Sequence, residues 1–234
     1  MVRTAYRFLF QNYSLYLKIL MPVLPFLLCV LALQIAAELY FASGSIKSVL
    51  VGILGIMGVP LNALIAIPWH RAYLRSPTDD IYVSINNLTK HEYAFIYFAT
   101  GAASLGVLLN IPSGLVGFFF AVAAQFFMIR LIFFFPAKAV DSDITLKEAY
   151  HLSKGYYWKF LRKSFLALLP AVIIVVSTTA AISHLTEMAE GEQPFYLSFI
   201  LINYMIFSFV LAVLFITPIM VTIISVLYAE AIDP

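Results

Sequence analysis

Six long apolar runs, at about 19–37, 49–69, 93–111, 115–137, 164–182 and 195–228, leave this chain one kind of fold to adopt. Roughly 20 consecutive apolar residues match the hydrocarbon thickness of a bilayer, and in lipid each backbone N–H and C=O must be satisfied within its own segment, which selects helices. Hydrophobic residues make up 63% of the 234 and charged residues only 11%, more apolar surface than a water-soluble core can hide. The expected fold is an all-α membrane protein of about six transmembrane helices. It is read as a single integral domain over 1–234, with no room for a soluble domain of ordinary size.

The loops sort by charge. The turns Ala42-Ser43-Gly44-Ser45, Asn110 to Gly114 and the segment Glu187 to Pro194 have just Lys47 nearby, whereas Arg3, Arg7, Lys18, Arg71, Arg75, Lys90, Lys138, Lys147, Lys154, Lys159, Arg162 and Lys163 lie at the other helix ends. The bias of Lys and Arg toward the cytoplasm places those ends, and both termini, inside. The first run is longer than a signal-peptide core and is read as an uncleaved span.

Three hairpins follow, and they resemble one another. Ile67-Pro68, Phe135-Pro136 and Thr217-Pro218 each fall near the basic end of an even-numbered run, and Leu88-Thr89-Lys90 before the third run parallels Leu152-Ser153-Lys154 before the fifth. Repeat units of about 1–76, 77–140 and 141–234 are expected, each with a short interfacial helix, a span, a tight turn and a second span bent at its proline. The final run, about 34 residues or roughly 50 Å of helix, must break, tilt or protrude, with Pro218 as the natural point. Thr145-Leu146-Lys147-Glu148 reads as a capping box that opens a surface helix stopped by Gly155. Gly52, Gly55 and Gly58 suggest close helix packing, as do the small residues of 99–106, which put the third run at the centre of the bundle.

Several function classes find no support. A net charge of +2 without a basic run speaks against nucleic-acid binding. Cys29 is the lone cysteine, and His70, His91, His151 and His184 have no ligand spacing, so neither metal nor cofactor is expected. No nucleophile with a base and no phosphate cradle is recognisable, and no catalytic residue is assigned.

Two groups of residues stand out. Arg130 lies within an apolar run, where a central charge costs roughly 2.5–3.5 kcal/mol on insertion scales. It stands six residues before Pro136, as Asn62 stands six before Pro68, so the two define a candidate polar layer: either a hydrogen-bonded structural knot or the lining of a polar cavity. The second group is a candidate cytoplasmic interface of Trp69, His70 and Arg71 with Trp158, Lys159, Arg162 and Lys163, aromatic and basic residues suited to an anionic leaflet.

Trp69-His70-Arg71, Arg130 with Phe133 to Ala137, and Leu146 to Tyr150 through Gly155 and Trp158 together resemble an uncharacterised family of small inner-membrane proteins from alphaproteobacteria. That family is itself similar to the membrane domain fused to some bacterial glycerophosphodiester phosphodiesterases. The resemblance covers nearly the whole chain, departs at Tyr156 where the family favours Asn, and implies a multi-pass protein of the bacterial inner membrane. Phosphodiesterase activity does not carry over, because the soluble domain and its carboxylates are missing from this sequence. The leading expectation is a non-enzymatic scaffold or accessory module that binds membrane lipids or a partner membrane protein. The alternative is a small-solute transporter or channel, suggested by repeats and proline-broken helices.

Overall fold

A computed structural model describes residues 2–41, 45–75, 81–109, 115–188 and 194–233. Among them the structure is helical without strands: α1 Val2–Gln11, α2 Tyr13–Leu20, α3 Leu24–Tyr40, α4 Ser45–Leu74, α5 Lys90–Leu109, α6 Leu115–Arg130, α7 Phe134–Ala139, α8 Leu146–Leu152, α9 Tyr157–Met188, α10 Pro194–Leu211 and α11 Thr217–Ile232. The expected turns at Ala42 to Gly44, at Asn110 to Gly114 and over 189–193 lie outside the described residues.

Among the described residues, three stretches are long and apolar enough to cross a membrane: Val49–Leu74, Tyr157–Ser183 and Ser198–Ile232. The pair α2 and α3, bent by 66° at its break, makes a fourth if it is one span. The bend has a local cause. Pro22 has no N–H to donate back into α2, and Pro25 pre-sets the first turn of α3. The first apolar run is therefore not one straight helix from residue 19.

The other prolines behave in two ways. α4 continues as helix through both Pro60 and Pro68, the second being the position where a bend is expected. Packing of α4 against α2, α3, α5, α7 and α11 holds the helix across the missing hydrogen bonds. Pro136 instead sits in the first turn of α7, where a missing N–H costs little, and Pro218 opens α11 inside the continuous helical stretch Ser198–Ile232, where the Tyr16 hydroxyl meets the Val213 carbonyl one turn before it. Each follows an irregular segment, the turn Leu131 to Phe133 and the π-helical turn Ala212–Ile216.

The core gathers at the basic end. Ala5 and Leu9, one helical turn apart on α1, are buried with Tyr16 and Leu20 of α2, Ile65 and Trp69 of α4, Phe133, and Ile223 and Leu227 of α11. The outer faces of the long helices are apolar and bare, with Phe26, Phe165, Ile173, Val176 and Phe199 all exposed, as lipid-facing surface would be. The centre is α4 and not α5, because α5 packs on α4, α6 and α7 while leaving Tyr97, Gly101 and Leu105 open. The small-residue reading also fails at particular positions: a Cβ at Gly55 or Gly101 would meet nothing within 4 Å, and one at Gly58 would meet only Val30 at 4.0 Å. Glycine spacing permits close approach but supplies no contact area to enforce it.

Candidate functional site

Trp69, His70 and Arg71 leave α4 in three directions and tie it to three partners. The Trp69 indole N–H donates to the Pro218 carbonyl at 3.0 Å and to Thr222 Oγ1 at 2.9 Å. The ring packs edge-on against Tyr16 and tilted against Phe8. His70 Nδ1 is 2.7 Å from Ser225 Oγ, one turn further along α11. Arg71 donates from Nε to the Ala139 carbonyl at 2.7 Å and pairs with Glu92 at 2.8 Å. Trp69 is wholly buried, His70 and Arg71 nearly so. The expectation that these three residues form a surface for a partner is therefore corrected. Their polar atoms find protein partners on α11, α5 and the α7 terminus, and a residue without accessible area offers nothing to grip.

Glu92 has a second task. Its Oε2 accepts from the Thr89 N–H at 2.7 Å and Thr89 Oγ1 accepts from the Glu92 N–H at 3.2 Å, a reciprocal cap at the start of α5. The Arg71 and Glu92 side chains are 5% and 3% exposed, so the pair is nearly dry, and Asp141 extends it. Arg71 reaches Asp141 at 3.5 Å, Arg75 reaches it at 3.0 Å, and Arg75 also donates to the Val140 carbonyl at 2.6 Å. Asp141 adopts φ 58, a left-handed conformation that Asp tolerates and that turns its carboxylate back toward α4. Thr89-x-x-Glu92 carries the capping signal in the sequence; the ion pair with Arg71 has none.

The candidate polar layer does not form a joint. Asn62 Nδ2 donates to the Gly58 carbonyl of its own helix at 3.0 Å. Arg130 instead lies over the Tyr150 ring, 4.4 Å from its centroid, and its Nε is buried without a hydrogen bond. The Arg130 carbonyl, freed where α6 ends, accepts from Ser153 Oγ at 2.6 Å.

The other half of the candidate interface is open. Trp158 is 76% exposed at the start of α9, with Lys159 and Arg162 exposed beside it and Lys163 half-buried. Lys159 Nζ sits over the Tyr156 ring at 4.7 Å, and the Tyr156 hydroxyl donates to the Glu230 carbonyl at 3.0 Å. α8 precedes this face with the expected capping box complete: Glu148 Oε2 accepts from Thr145 N at 2.7 Å and from Thr145 Oγ1 at 2.8 Å. The backbone and side-chain bonds from Thr145 hold the Glu148 carboxyl below the ordinary carboxylate range. Gly155 stops the segment at φ 90, where an L side chain would be strained.

The N-terminal helices close over the irregular carbonyls. Tyr6 donates to the Ala167 carbonyl of α9 at 2.6 Å, three residues before Pro170, and burial pushes its phenol up. Tyr16 donates to the Val213 carbonyl inside the π-helical turn. Of the remaining histidines, His91 lies 3.7 Å from Asp143, His151 is exposed on α8, and the side chain of His184 is outside the described residues. No family model matches this chain, and comparison with curated proteins and with solved structures finds no match.

Proposed function

We propose that the chain is a non-enzymatic, multi-pass module of a bacterial inner membrane that binds lipid or a partner membrane protein at its cytoplasmic face. In this reading α3, α4, α5, α6, α9 and α10 with α11 supply six spans in three hairpins, with both termini in the cytoplasm. The carrying observation is the exposed Trp158, Lys159 and Arg162 at the start of a long apolar helix, beside the buried basic end of the bundle. Aromatic rings at headgroup depth and cations at phosphate depth suit an anionic leaflet, each cation contributing about 1 kcal/mol near the surface. The resemblance to the inner-membrane family agrees with this location.

The test is purification of the full chain in native polymer nanodiscs with identification of the surrounding lipids by mass spectrometry. Acidic lipids should be enriched over the bulk membrane, and the triple variant Trp158→Ala, Lys159→Gln, Arg162→Gln should lose the enrichment by about fivefold per charge removed. An unchanged lipid profile would overturn this role for the face. A small-solute transporter or channel is the second reading, favoured by the π-helical turn at Pro218 and by buried, unpartnered hydroxyls of Thr100, Ser164 and Ser208 within apolar helices. Flux of ions or small anions through proteoliposomes of the wild-type chain would favour it.

A further inference from the structure

The π-helical turn opens one backbone carbonyl, and the group that fills it comes from the N-terminal helices. In the turn Ala212–Ile216 the Thr217 N–H reaches back five residues to the Ala212 carbonyl. The next bond of that ladder would run from residue 218 to the Val213 carbonyl, but residue 218 is a proline and has no N–H to give. The Tyr16 hydroxyl of α2 takes its place. Tyr6 of α1 acts likewise on α9, donating to the Ala167 carbonyl at 2.6 Å in the turn that leads into Pro170. Both proline-containing spans are thus held by hydroxyls from one short segment.

The other side of that segment is open and basic. Arg3, Arg7 and Phe10 follow one another at helical spacing on the face of α1 opposite Ala5 and Leu9, and all three are exposed, as are Lys18 and Met21 on α2. No Asp or Glu occurs in the sequence before Glu38, and among the described residues no carboxylate pairs with Arg3, Arg7 or Lys18. The Tyr6 contact fixes the depth. Ala167 stands four residues beyond Lys163, about 6 Å of helix, so α1 meets α9 where its basic end gives way to apolar surface. Exposed arginines beside an exposed Phe at that level match the phosphate and glycerol layers of a leaflet.

We propose that the outer face of α1 docks through Arg3 and Arg7 on acidic phospholipid headgroups of the leaflet, and that this docking holds Tyr16 on the open Val213 carbonyl. The proposal rests on the membrane reading above and assigns a surface separate from the Trp158 face. A planar guanidinium presents paired donors to phosphate oxygens, and an acidic leaflet supplies the charge that the segment itself lacks. α1 packs on both α9 and α11, so it does not lift without loosening Tyr6, and α2 follows it across the single residue Asn12. Lipid charge thereby biases the proline-containing spans. A docked strap keeps the π-helical turn closed, whereas a released one leaves a buried carbonyl unmet inside a span.

The full chain is reconstituted in nanodiscs of phosphatidylcholine alone or mixed with phosphatidylglycerol, and backbone hydrogen exchange is followed over 2–11 and 212–222. Phosphatidylglycerol should slow exchange in both segments. Arg3→Gln and Arg7→Gln should each give back about fivefold of the slowing over 2–11, the double variant about 25-fold, and the double variant should also abolish the effect on 212–222. Tyr16→Phe should keep the lipid dependence of 2–11 and remove that of 212–222. Both arginines are exposed, so their variant leaves the core in place and decides the matter if Tyr16→Phe does not fold. Equal exchange of 2–11 in the two lipids, or a dependence that survives the double arginine variant, would overturn the docking. A lipid effect on 2–11 with none on 212–222 in the wild type would overturn the coupling. Dependence lost in the Trp158→Ala, Lys159→Gln, Arg162→Gln variant and kept in the arginine pair would overturn the strap yet leave the Trp158 face standing. The reverse result would support the strap, whether or not acidic lipid gathers at Trp158.

Discussion

Glu92→Gln tests whether Arg71 is held by charge or by shape. The amide oxygen of Gln can still accept from Thr89, so the α5 cap survives, but the charge 2.8 Å from Arg71 is gone. Removing one partner of a dry ion pair commonly costs about 3–5 kcal/mol, because the other charge is left without compensation. Here Arg71 keeps the Ala139 carbonyl at 2.7 Å and Asp141 at 3.5 Å, so the expected loss is smaller, about 2–3 kcal/mol. For a chain of this size that lowers the melting temperature by roughly 5–10 °C. The assay is thermal unfolding in mild detergent, run as a double-mutant cycle of Glu92→Gln, Arg71→Met and the pair Arg71→Met, Glu92→Gln. With neither charge present none is stranded and the Gln keeps the Thr89 cap, so the pair should lose clearly less than the sum of the single losses, with a coupling of about 1.5 kcal/mol or more. A Glu92→Gln protein that melts within a degree of wild type, or two single losses that simply add, would refute the account of the α4 to α5 junction as electrostatic.

Trp69→Phe should cost about 1 kcal/mol, since it removes the indole donor while the Pro218 carbonyl keeps its bond from Thr222 Oγ1 at 2.7 Å, and the melting temperature should fall by a few degrees. Glu148 titrates in a stated direction: its folded carboxyl lies below the ordinary value of 4.5, so its contribution to α8 is complete above that value and is lost as pH falls through the lower folded one. Hydrogen exchange of residues 146–152, corrected for intrinsic rates, should therefore quicken on acidification in the wild type and be insensitive to it in Glu148→Gln. For topology, on a Cys29→Ser background, single cysteines near Gly44, Ser113 and Glu190 should react with an impermeant reagent from outside. Those near Arg75 and Lys147 should be spared in intact cells, and their labelling would sink the proposed orientation.

Local rules carried the sequence reading a fixed distance. Apolar runs are a property of consecutive residues, and they found the long helices, because a segment in lipid satisfies its backbone without reference to any other segment. The cap at Thr145 and Glu148 was legible for the same reason, since both partners lie within one turn. Thr89 and Glu92 repeat that pattern, and Pro22 with Pro25 mark the α2 to α3 bend. Both signals are local to one turn of chain.

The tertiary structure decided which polar residues are anchors and which are surface. By composition, Trp69-His70-Arg71 and Trp158 with Lys159 and Arg162 are the same kind of segment, aromatic beside basic at a helix end. Their difference comes from chain 149 to 155 residues away: Pro218, Thr222 and Ser225 of α11 meet Trp69 and His70 and bury them, while among the described residues nothing comparable packs over Trp158. Prolines diverge likewise. Pro68 is carried inside a helix packed by its neighbours, whereas Pro218 follows a π-helical turn whose Val213 carbonyl is met by Tyr16. Sequence alone determined that these segments are helices for an apolar medium, because that follows from side chain and backbone within one turn. Burial and ion pairing depend on which helices meet, and that is settled by packing between residues the sequence does not place side by side.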